Sequence, residues 1–135
     1  MDRTMIEALV GLANRVGHLF IATAGREGVP HVASARRVEL IAGERLAITE
    51  WFCPGTVANL RENPRLSVVA WDSKSDMGYQ VIGEAEEMHD VAMLDGFAAG
   101  RDEDHPPPQV ERRLVVKISQ VLEFRQQPHS DEPVG

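Results

Sequence analysis

Two neighbouring arginines, Arg36 and Arg37, and the pair Gly55–Thr56 are the residues whose types best suit the binding of an anion. A guanidinium presents a planar fork of donors that matches two phosphate oxygens. Gly55 and Thr56 follow Pro54, and proline suits the first position of a helix. A helix start offers unpaired backbone N–H groups and a partial positive charge, to which a threonine hydroxyl adds one donor. Together these groups could hold a phosphate monoester. Adjacent arginines on a strand are, however, more often a solvated edge or a salt-bridged pair. A carboxylate such as Glu50 or Glu84 would serve as the structural partner of Arg36.

The other reactive side chains form no pattern. His18, His31, His89, His105 and His129 are scattered, without paired metal-ligand spacing, so no metal site is expected. Cys53 precedes the expected helix start, where a thiolate is favoured, but has no evident histidine partner and reads as a packing residue. Glu84, Glu86 and Glu87 read as a solvated strand face. No catalytic residue is assigned. Neither G-x-G-x-x-G nor a P-loop occurs, which disfavours the nucleotide folds built on them.

The formal net charge of −7 argues against a nucleic-acid partner, although a local arginine pair can still act at short range. No apolar run approaches the roughly 20 residues needed to cross a bilayer, and the N-terminus lacks the layout of a secretory signal. With one cysteine there is no internal disulfide framework, and a cytoplasmic protein is expected. The 135 residues make one domain, 1–135, with a flexible tail from about 126.

Those candidate residues must be positioned by short elements. Residues 2–16 carry Met5, Leu9, Leu12 and Val16 at helical spacing, with Thr4 and Glu7 as a capping box and Gly17 as the C-terminal stop. A short apolar strand, 18–24, turns at GREGVP into a long strand over 30–41. In that strand Val32, Ser34, Arg36, Val38 and Leu40 share one face and Arg37 takes the other. A third strand, RLAITEWF, leads into a helix that starts at Pro54, carries Thr56, Asn59 and Leu60, and is stopped by Asn63–Pro64. Further strands are expected at 65–71, 79–87 and 113–124. A helix capped by Asp90 is expected to run to Gly100, followed by the proline-rich loop 101–109. Six short strands with tight connections favour an antiparallel barrel.

Four segments then resemble, in order, the pyridoxamine 5′-phosphate oxidase superfamily. S-A-R-R-V-E-L (Ser34–Leu40) is similar to its S-A-R-x-V-L-L strand, and T-V-A-N-L-R-E-N-P-R (Thr56–Arg65) to its K-x-x-N-L-x-x-N-P-x helix. Trp71 followed by Y-Q-V-I-G-E-A-E (Tyr79–Glu86), and the closing L-V-V-K-I-S-Q-V-L-E-F, resemble its later strands. The similarity runs from about Gly17 to Phe124.

The resemblance implies a mainly β fold: a six-stranded antiparallel split β-barrel of Greek-key type with short flanking helices. It also implies a homodimer with FMN between subunits. Arg36 would contact the FMN phosphate or ribityl chain, and Arg37 and Val38 would run beside the ring through their backbone. Thr49 and Glu50 would line the site, Gly55 and Thr56 would meet the phosphate, and Gln80 would reach the flavin from the other subunit. The oxidases carry basic residues at the helix start, where this chain has Cys53, Pro54, Gly55 and Thr56. The C-terminal tryptophan and R-L-type segment of the true oxidases is also missing, so an FMN-dependent oxidoreductase or electron carrier is expected, acting with a small-molecule redox substrate or electron donor. The alternatives are a deazaflavin, a haem ligated by His31 or His89, or a cofactor-free dimeric binding module.

Overall fold

The computed structural model describes residues 3–94 and 109–134. Helix α1 (Arg3–Val16) buries Ile6, Leu9, Leu12 and Ala13, a three-and-four spacing that places them on one face. Each of the three larger side chains contributes about 1.5–3 kcal/mol on burial. Gly17 stops the helix at φ +94°, with its N–H donating to the Ala13 carbonyl at 2.8 Å.

The strands are β1 (Leu19–Ala24), β2 (Pro30–Ala35), β3 (Arg37–Ile41), β4 (Arg45–Trp51), β5 (Arg65–Asp72), β6 (Met77–Leu94) and β7 (Gln109–Glu123). Helix α2 (Pro54–Glu62) lies between β4 and β5. All seven strands join one sheet in the order β2-β1-β5-β6-β7-β4-β3, and every neighbouring pair is antiparallel. The two end strands, β2 and β3, are consecutive in sequence with Arg36 alone between them. Two residues span at most about 7 Å, so the sheet must curl until its edges meet at Arg36. Helix α1 packs against β3, β5 and β6, and α2 against β1 and β2. The core includes the α1 face, Leu19, Ile21, Leu46, Ile48, Trp51, Val68, Val81, Leu114 and Val116.

The mainly β, curled antiparallel architecture agrees with the expectation, but the described residues form seven strands, not six. The expected strand over 30–41 is two strands because its burial changes phase. Ala33 and Ala35 are buried in β2, and regular alternation would bury Arg37 next. A buried unpaired guanidinium is costly. The bend at Arg36 shifts the phase by one residue and buries Val38 instead.

The expected helix from Asp90 is also corrected: residues 90–94 continue β6, paired with β7 as far as Leu94↔Gln109. Asp90 makes an ion pair with Arg112 across this ladder, at 3.4 Å. Long-range pairing here overrides a local helical pattern. Residues 95–100 of that expected helix, and 101–108 of the proline-rich loop, lie outside the described residues. The ladder bulges beside Gly83, where a Cβ would collide with the Lys117 carbonyl.

Two polar attachments hold exposed backbone in place. As the end strand, β3 has one side unpaired, and there Asn14 of α1 substitutes for a neighbouring strand. Its Nδ2 donates to the Val38 carbonyl at 3.0 Å, and the Val38 N–H donates to its Oδ1 at 3.4 Å. The second attachment is Asp76, in the β5–β6 turn. It accepts the backbone N–H groups of Gln126 and Gln127 at 2.8 and 3.1 Å, and the Trp71 indole N–H at 3.0 Å. The chain beyond β7 is thereby tied down, and the Val134 N–H reaches the Val121 carbonyl at 2.7 Å.

Two outcomes are expected. Asn14→Ala should lower unfolding free energy by about 1–3 kcal/mol in chemical denaturation, the loss of two hydrogen bonds at a strand edge. The N–H donors of Gln126, then Trp71, hold the Asp76 carboxyl below its ordinary value of 3.8. A depressed carboxyl pKa adds stability that is present above the unfolded value and lost as pH falls through the folded one. The protection of the Gln126 and Gln127 amides, relative to their intrinsic exchange rate at each pH, should therefore hold down to about pH 4 and fall below it. Asp76→Asn should show low protection of these amides with no such pH dependence.

Candidate functional site

The corner where the sheet edges meet opens into a groove of about 720 Å³. Asn14 and Gly17 line it from the end of α1, Arg36, Arg37, Val38 and Glu39 from the corner and β3, and Ala47 and Thr49 from β4. Arg37 and Thr49 stand opposite each other in the β3–β4 ladder. The volume lies in the range of small-molecule sites.

The two arginines differ in their electrostatic environment. Arg37 Nε lies 2.6 Å from Glu50 Oε2, off the line of its N–H, so the contact is an ion pair more than an aligned hydrogen bond. Arg37 is exposed and Glu50 half-buried, and a pair whose cation stays solvated contributes under about 1 kcal/mol to stability. Its consequence is local neutralisation. Arg36 is exposed, and among the described residues no carboxylate stands within ion-pair reach of it. Glu50 and Glu84, its expected structural partners, are taken by Arg37 and Arg65. The expectation that the two arginines occupy opposite faces is corrected. The bend at Arg36 interrupts the alternation, and both line the groove.

Glu50 has an unusual backbone, with φ +58° beside a register shift between β4 and β7. Regular alternation would put Ala47, Thr49 and Trp51 on one face. The bulge instead moves Trp51 to join Leu46 and Ile48 in the core, fully buried, while Ala47 and Thr49 remain at the groove.

The other expected site residues are not in this groove. Thr56 is fully buried, not solvent-facing, with Oγ1 3.5 Å from Nδ1 of His31. The ring of His31 also lies against Gly55, where a Cβ would meet Nε2 at 3.0 Å. Helix α2 carries no side-chain cap on its N-terminus. Gln80 lies on β6 and donates to Ser67 Oγ at 2.6 Å. Two participants were not evident in sequence. Asn14 is one more polar residue on the outer side of an amphipathic helix, and nothing in its spacing marks it. His31 proves to be the partner Cys53 lacked, with Nε2 3.6 Å from Sγ. It is 22 residues distant along the chain, and only the packing of α2 on β2 joins them.

Several known proteins share this architecture. An FMN-binding protein of Syntrophomonas wolfei superposes with a TM-score of 0.67 at 20% identity, over 95% of this chain and 91% of that one. An F420 reductase superposes with a TM-score of 0.53 at 16% identity, over 82% and 93%. These likenesses show the fold. In sequence, an uncharacterized protein of Methanocaldococcus jannaschii is 29% identical over 131 residues, 96% of this chain and 86% of that protein. The family model for pyridoxamine 5′-phosphate oxidase matches residues 5–124, which takes in both helices, the corner at Arg36 and the whole sheet, and the chain belongs to that family.

Proposed function

We propose that the chain is an FMN-binding flavoprotein, a flavin-dependent oxidoreductase or electron carrier, that holds the flavin in the groove at Arg36. The observation that carries this reading is a cation that, among the described residues, has no carboxylate partner, in a groove of ligand size and beside a second arginine already neutralised by Glu50. In a chain of net charge −7, an unpaired guanidinium at a concave corner is a local site for a phosphate dianion. Asn14, Thr49 and the β3 backbone would orient the rest of the molecule. The outward N–H and C=O of Val38 are engaged by Asn14, so the ring would meet the side chains and the edges of neighbouring peptides. When bound, the flavin supplies the hydride or electron exchange.

The second subunit in this proposal rests on the outward face of β1, β2, β5, β6 and β7. The paired positions there include Phe20, Val32, Val69, Gln80, Ile82 and Leu122. The solvent face of an antiparallel sheet is ordinarily polar. This one carries no charged residue in the two paired rows through Phe20 and Ala22, and Phe20 and Val32 are 42% and 61% exposed. A second copy would cover it isologously and bring Gln80 towards the neighbouring groove. A deazaflavin in the same groove is the second reading, favoured by the likeness to an F420 reductase.

The absorbance spectrum of purified protein, alone and with each cofactor added, separates flavin, deazaflavin, haem and an empty module. Arg36→Ala should raise the FMN dissociation constant about ten- to a hundredfold, the loss of a charge-assisted bond. Riboflavin, lacking the phosphate, should bind mutant and wild type alike; equal losses for both ligands would remove the phosphate from Arg36. Arg37→Ala should also weaken FMN, because it leaves the Glu50 carboxylate beside the groove without its counter-ion, and Glu50→Gln in that background should restore binding. Sedimentation at micromolar concentration should give twice the chain mass, and a monomer there would remove Gln80 from the site.

A further inference from the structure

Cys53, His31 and Thr56 form a contiguous set outside the groove. They come from the start of β2, the residue before α2 and the first turn of α2. Cys53 is half-buried, with Sγ 3.6 Å from His31 Nε2. The second ring nitrogen of His31, Nδ1, lies 3.5 Å from the hydroxyl of fully buried Thr56. The imidazole is also seated on Gly55, whose missing Cβ leaves the ring room. This is the arrangement that base-assisted nucleophilic chemistry requires: a nucleophile against a base, and the base oriented by a third group. In the tautomer that donates Nδ1–H to Thr56, Nε2 presents its lone pair to the thiol.

We propose that Cys53 is a reactive thiol, activated by His31, that exchanges with low-molecular-weight disulfides. The Cys53 S–H proton passes to His31 Nε2 as Sγ attacks one sulfur of the disulfide. A new S–S bond forms to Cys53, the incoming S–S bond breaks, and the departing thiolate takes the proton from the imidazolium. Cys53 sulfur is oxidised and the leaving sulfur is reduced, with no further reagent. Cys53 is the only cysteine of the sequence, so the product is a mixed disulfide and not an internal bridge. The proposal does not depend on a flavin.

The test uses the full chain and oxidised glutathione, with the adduct followed by intact-mass spectrometry. At neutral pH the folded protein should react at least about tenfold faster than the same chain in denaturant, since base assistance outweighs partial burial. Folded His31→Gln should fall to the denatured rate or below it, and Cys53→Ser should form no adduct. A folded wild type no faster than the denatured chain would overturn the proposal, as would a His31→Gln protein as fast as wild type. Should His31→Gln fail to fold by circular dichroism, Thr56→Val decides. It keeps the side-chain shape and removes the orienting contact, so its rate should drop, and an unchanged rate counts against the His31 relay.

Discussion

A sheet whose first and last strands are joined by a single residue has to bring its two edges together at that residue. Here the residue is Arg36, and much of the molecule follows from the geometry. The corner sits outside either ladder, so its side chain is not committed to a sheet face. The edge of β3 that diverges from β2 would carry unpaired backbone groups, and Asn14 takes up those of Val38. That contact in turn fixes the end of α1 beside the corner, which is why a helix residue and a strand residue line the same groove. The closure of the fold and the concavity that could hold a ligand are thus one feature.

Electrostatics at the corner run against the global charge. The protein is acidic, and several of its arginines are committed to carboxylates. Arg45 holds Glu86, Arg65 holds Glu84, Arg112 holds Asp90 and Arg37 holds Glu50. The Arg45 guanidinium keeps the Glu86 carboxyl below the usual range, so the acidic run on β6 is a solvated and paired strand face, not an acid–base pair. What sets Arg36 apart is its place: it lines the concave corner, and among the described residues no carboxylate pairs with it. Field strength at short range depends on the local arrangement more than on the net charge. An acidic chain can therefore still offer an anion site.

Much of this was legible in the sequence where a single local pattern governs the outcome. The spacing of Leu9 and Leu12, the stop at Gly17 and the proline before Gly55 each specify their element without help from distant residues. Arg36, Arg37, Val38 and Thr49 could be nominated from residue type and resemblance, and the structure brings these four to one groove. What could not be read depends on contacts between distant segments. The break at Arg36 is a phase conflict between Ala35 and Val38 that is settled only when both are packed. The extension of β6 depends on its pairing with β7. The burial of Thr56 depends on how α2 lies on β1 and β2, which no run of nine residues encodes.

The bulge at Glu50 shows how one local irregularity serves two regions. The left-handed turn of a non-glycine residue is unfavourable by itself, and it persists because of what it positions on either side. Before it, Ala47 and Thr49 stay at the groove, and the Glu50 carboxylate reaches Arg37 across the ladder. After it, Trp51 enters the core with Leu46 and Ile48 and anchors the exit of the strand. The chain then needs only Phe52 and Cys53 before Pro54 starts α2. With Trp51 fixed and the helix packed on β1 and β2, Cys53 is brought against His31. An unbulged β4 would put Trp51 on the groove side, where its indole would fill the space beside Thr49, and would change the path into α2. The groove at Arg36 and the Cys53–His31 contact therefore depend on the same backbone feature, although the two sites share no side chain.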